Sequence, residues 1–86
     1  MTETRDTRIK RLRMRSWRRG IKEMDLILGG FADAELADLD GAALDDYERL
    51  LEENDWDLYY WVTGGRETPG PYAALIGRLA GFHKLG

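Results

Sequence analysis

The chain contains no cysteine, a single histidine (His83), a single serine (Ser16) and no apolar run long enough to cross a bilayer. Without cysteine there is no disulfide and no thiolate ligand, which fits a reducing compartment. The basic N-terminus is not followed by an apolar stretch, so no secretory leader is read there. Arginines between Arg5 and Arg19 give the composition of a mitochondrial transit peptide, but Glu3 and Asp6 break the pattern and the globular periodicity starts within it. Nucleophilic catalysis needs a nucleophile, a base and an orienting group, and nothing in the pattern brings Ser16 to His83. No HExxH or calcium-loop spacing occurs, and Gly29–Gly30 and Gly64–Gly65 lack the flanks of a phosphate loop. The paired carboxylates Asp45–Asp46, Glu52–Glu53 and Asp55–Asp57 read as solvated helix faces and caps. The expectation is a protein that is not an enzyme, with no catalytic, metal-binding or cofactor-binding residue.

What is present is a soluble balance of 43% hydrophobic and 34% charged residues in 86, the size of one small domain. The net charge of -3 conceals a strong asymmetry. Residues 1–22 carry nine basic and two acidic side chains, whereas residues 23–57 carry one basic and thirteen acidic. Such a chain can steer a charged partner. It can equally pair its own basic helix with its own acidic ones.

Helical periodicity runs throughout, and no strict alternation supports a strand. The spacing predicts a first helix over roughly 6–18 with Ile9, Leu12 and Trp17 on its apolar face. A second helix starts at Gly20 and ends before Gly41, with Ile21, Met24, Ile27, Leu28 and Phe31 as its stripe. Gly29 and Gly30 weaken it by about 1 kcal/mol each relative to alanine, and bend it or permit close packing. Asp40 caps a third helix running to about Glu53, with Leu39 and Leu44 as a hydrophobic staple. Asp55 caps a fourth, which Gly64 ends. Leu58 and Trp61 are expected in the core, with Tyr59 and Tyr60 open to a secondary contact. Pro69 and Pro71 lead into a last helix carrying Tyr72, Leu75, Ile76, Leu79 and Phe82. The expected fold is all-α: one domain over 1–86, a bundle of about five short helices, with residues 1–5 as a flexible N-terminus.

The stretch RSWRRGIKEMD, from Arg15 to Asp25, concentrates charge around a glycine. Three readings stand side by side. Gly20 can cap the second helix, placing Glu23 where its carboxylate reaches a backbone N–H. Glu23 can pair with Arg19 four residues earlier. Or Arg15, Arg18, Arg19, Gly20, Lys22 and Glu23 form a recognition corner, where the absent side chain admits a partner's backbone and arginines fork onto its carboxylates. An alternative use of the basic helix is as an anion-binding module for nucleic acid or anionic lipid. The sequence pI of about 5.1 and the acidic block oppose that alternative.

RRGIKEMDLILGGFAD resembles the arginine–glycine–x–x–glutamate segment of the succinate dehydrogenase assembly factors that promote FAD attachment. LLEENDWDLYYWVTG resembles the second block of that family, and the order and spacing of both agree over nearly the whole chain. One departure is Trp56, where the family pattern often has proline; either suits a first helical turn. The resemblance implies a five-helix domain that binds the flavoprotein subunit of succinate dehydrogenase, and in some organisms that of fumarate reductase. It implies that FAD belongs to that partner and is not held stably by this chain. It places Arg19, Gly20 and Glu23 at the contact, with Arg18 and the rest of the basic helix extending it. The expected protein is a monomer when free, with no nucleic-acid partner and no membrane insertion. Because the chain begins almost at the matching region, the bacterial cytoplasm is the expected location, with a matured form of a longer protein as the alternative.

Overall fold

The computed structural model describes residues 3–84. Among them lie five α-helices and no strand: α1 (Arg5–Ser16), α2 (Lys22–Glu35), α3 (Gly41–Leu50), α4 (Asp55–Thr63) and α5 (Ala73–Phe82). Short 3-10 turns follow α2 at Leu36–Asp38 and precede α5 at Gly70–Tyr72. The all-α expectation therefore holds. Of the N-terminal stretch expected to be flexible, Met1 and Thr2 lie outside the described residues. Thr4 accepts from the Thr7 amide as N-cap of α1, and Arg5 donates to the Ala37 and Leu39 carbonyls.

Helix α2 is the central element and packs against α1, α4 and α5. Its Met24, Leu28, Phe31 and Ala32 are fully buried, because an apolar residue recurs every third or fourth position. Leu12, Leu36, Tyr47, Leu50, Leu58 and Leu79 close the core around it. Phe31 stacks on Tyr47 at 6.0 Å and meets Phe82 edge-on at 5.8 Å.

Trp17 departs from the apolar stripe proposed for α1. The helix ends at Ser16, and the Trp17 ring is half-exposed in the turn that follows. It lies flat on α2 at Gly29, where a Cβ would sit 2.2 Å from the ring. The indole N–H donates to the Asp33 carboxylate at 3.2 Å. Close packing, not bending, is thus the use of Gly29. The buried polar member of α1 is Ser16: its hydroxyl lies 2.8 Å from the Leu12 carbonyl and 2.6 Å from the Tyr47 hydroxyl. Both side chains are fully buried and satisfied.

Pairing of the basic helix with acidic segments is realised between α1 and α3 together with the turn that follows α3. Arg8 bridges Asp45 (2.7 Å) and Glu48 (3.1 Å), Arg11 meets Glu48 (2.9 Å), and Arg15 meets Glu52 (2.9 Å). The Arg11 hydrogen bond is the first cause holding the Glu48 carboxyl below its ordinary pKa, with Arg8 adding to it against partial burial.

Candidate functional site

The α1–α2 corner is built by Arg19. Its Nε donates to Asp55 Oδ1 at 2.7 Å, Nη1 to the Leu51 carbonyl at 2.7 Å and Nη2 to the Glu53 carbonyl at 2.9 Å. Leu51 and Glu53 follow directly on α3, where a helix leaves carbonyls without partners and carries partial negative charge. One planar guanidinium therefore serves the end of α3 and the start of α4 together. The two charged side chains are 11% and 14% exposed, so the pair is largely withdrawn from water.

The backbone at the corner is held by carboxylates. The Arg19 amide donates to Asp25, and the Gly20 amide donates to the second oxygen of Asp55. A Cβ at Gly20 would lie 2.9 Å from that oxygen. This overturns the expectation that Gly20 caps the second helix. Ile21 occupies the cap position without a side-chain bond, and α2 begins at Lys22. The carboxylate reaching back to a backbone N–H is Asp25, not Glu23. Arg19 turns to Asp55, not to Glu23. Asn54 replaces Asp55 as cap of α4, accepting from the Trp56 and Asp57 amides, which frees Asp55 for the corner.

Of the residues singled out in the sequence, the structure sorts some outward and some inward. Arg18, Gly20, Lys22 and Glu23 are exposed around the corner. Arg18, Lys22 and Glu23 have no ion-pair partner among the described residues. Arg15 is half-buried and shared with Glu52, and Arg19 is turned inward. A shallow basic groove of about 590 Å³ runs along α1 past Lys10, Arg11, Met14, Arg15 and Arg18.

On the other side of the corner, α2 and α4 border a second groove of about 340 Å³, lined by Glu23, Leu26, Ile27, Tyr59, Thr63 and His83. His83 Nε2 lies 2.7 Å from the Ile27 carbonyl, so that nitrogen carries the proton. Tyr59 joins this groove, while Tyr60 turns away beneath Arg66, whose guanidinium carbon sits 4.7 Å above its ring. Leu58 is buried as expected, and Trp61 packs partly buried against Tyr72 at 5.8 Å. Sequence reasoning missed Asp55, Asp25 and Leu26 as parts of the site. The only signal for Asp55 was its place beside Asn54, where two cap-forming residues compete for one cap.

Among the described residues no group of three or more histidine, aspartate or glutamate side chains is arranged to hold a metal ion. No helix among them is long and apolar enough to cross a membrane.

Residues 10–83 match the family described as flavinator of succinate dehydrogenase, a span that includes the corner and the whole of α4. The chain is 49% identical over 70 residues to a mitochondrial succinate dehydrogenase assembly factor 2 from Meyerozyma guilliermondii, covering 80% of this chain and 52% of that protein. It is 44% identical over 72 residues to the protein of that name from Mycosarcoma maydis, covering 84% of this chain and 30% of the relative. A succinate dehydrogenase assembly factor 2-B from Drosophila mojavensis is 40% identical over 83 residues, covering 94% and 53%. The chain thus spans about half, or less, of the length of these relatives. By the match over residues 10–83, it belongs to the flavinator of succinate dehydrogenase family.

Proposed function

We propose that the protein is an assembly chaperone, not an enzyme, that binds the flavoprotein subunit of succinate dehydrogenase and promotes covalent attachment of FAD to it. A related fumarate reductase flavoprotein is a second client of the same chemistry. The family supports the client. The observation that carries the contact surface is the inward Arg19–Asp55 pair at 2.7 Å. It fixes the corner on α3 and α4 while Arg18, Lys22 and Glu23 stand outward with no ion pair among the described residues. Charges held on a rigid frame lose less entropy on binding.

In this reading Gly20, Glu23, Arg18, Lys22 and Arg15 touch the flavoprotein, and Arg19 shapes the surface from below. FAD and the chemistry of its attachment belong to the partner. This chain holds one conformer of the immature subunit, and a conformer with its reacting groups aligned reacts faster. The anion-binding alternative has less support, because Arg8, Arg11 and Arg15 are already engaged by carboxylates of α3 and of the turn that follows it.

Titration calorimetry with the isolated flavoprotein subunit tests the reading. Arg18→Glu and Glu23→Ala are each expected to weaken binding by about tenfold or more, with an unchanged melting profile. Wild-type protein that fails to bind the subunit overturns it.

A further inference from the structure

The groove between α2 and α4 has an unusual combination of surfaces. Its floor is the buried Ile27, and its wall includes Leu26, a large apolar side chain of α2 that is 54% exposed. Its mouth at the α1–α2 corner holds Glu23, whose carboxylate has no cation partner among the described residues. The Tyr59 hydroxyl on the opposite wall makes no hydrogen bond among the described residues, because the Tyr59 bond there uses its backbone carbonyl, accepting from Thr63. His83 closes the far end and is itself committed to the Ile27 carbonyl.

An apolar trough ending in a lone carboxylate complements one type of side chain: an aliphatic stem with a cationic head. We propose that the groove receives a lysine or arginine of the flavoprotein partner, its stem on Leu26 and Ile27 and its head on the Glu23 carboxylate. This rests on the flavoprotein reading above and deepens it. The corner then has two polarities. Arg18, in the groove along α1, asks for acid, and Glu23, in the groove between α2 and α4, asks for a base. A partner segment must present both in that order, which fixes its orientation.

Charge substitutions at Leu26 separate this from a purely apolar contact, and the site is exposed enough to tolerate them. Binding to the isolated flavoprotein subunit is measured for wild type, Leu26→Lys, Leu26→Glu and Glu23→Gln, each checked by thermal melting. A cationic occupant predicts that Glu23→Gln loses about tenfold, and that Leu26→Lys loses at least tenfold more than Leu26→Glu, since both give up the apolar contact with the stem but only lysine repels the head. Equal losses for Leu26→Lys and Leu26→Glu, or wild-type affinity for Leu26→Lys, overturn the proposal while leaving the flavoprotein reading intact. Absence of binding by wild type overturns both.

Discussion

The Arg19 guanidinium and the Asp55 carboxylate meet at 2.7 Å, and the same carboxylate accepts the Gly20 amide. A single aspartate at the start of α4 thus ties down the side chain and the backbone of the corner that joins α1 to α2. Stability and recognition are coupled at this point, because the residues that face outward are neighbours in sequence of the residues that hold the frame.

Asp55→Ala removes the charge partner of Arg19 and the acceptor of the Gly20 amide together. The expected loss is about 3 kcal/mol, the low end for a broken buried pair, since both side chains keep a little solvent contact. A small domain has only about 5–15 kcal/mol in total, so the shift in the urea midpoint will be large. Asn54→Ala is expected to cost about 1 kcal/mol, the usual value of a lost N-cap. Denaturation curves for the two variants check the ranking.

Gly29→Ala is expected to destabilise although alanine favours helix by about 1 kcal/mol. A Cβ there falls 2.2 Å from the Trp17 ring, so the ring must leave its seat and give up the Asp33 hydrogen bond. Lost packing outweighs the gained propensity, for a net cost of about 1–2 kcal/mol. The Trp17 indole N–H resonance is expected to move, whereas those of Trp56 and Trp61 stay.

How much of this was legible in the sequence follows from how local each cause is. The five helices were visible because their apolar stripes and end signals lie within one turn of each other. Asp40 and Gly64 were found for that reason, and Gly64 indeed ends α4 with a φ of 83°. Residues whose roles depend on a distant partner were misplaced. Asp55 reads as a cap in the sequence because its partner, Arg19, is far off along the chain. Periodicity puts Trp17 on the apolar face of the first helix, although a serine one position earlier takes the buried place by bonding to Tyr47. The exposed charges of the corner were identified from composition and motif, but the groove behind Glu23 needed the packing of α4 on α2 to exist.

Stability is expected to fall at both ends of the pH scale, for different residues. Glu48 is held below its ordinary carboxylate range, first by the Arg11 hydrogen bond. A group depressed in the folded state contributes above its unfolded pKa, ordinarily 4.5, and loses that contribution as pH drops through the folded value. Glu48→Gln should therefore flatten the acid limb. Burial raises Tyr47 from an ordinary value of 10.0 to about 12. Its contribution is intact below pH 10.0 and is lost as pH climbs to about 12, where the unfolded chain ionises first. Tyr47→Phe should flatten that alkaline limb. Thermal melts across pH for wild type and both variants check these signs.

The most direct measurement of the central claim is covalent flavin on the succinate dehydrogenase flavoprotein. It is read by in-gel fluorescence in cells that lack this protein and in cells restored with wild type or Glu23→Ala, both variants first matched for expression and melting temperature. The account predicts that covalent flavin falls in the deletion and returns with wild type but not with Glu23→Ala. Full covalent flavin in cells carrying only Glu23→Ala would contradict the role assigned to the corner, and full covalent flavin in the deletion would contradict the assembly role itself.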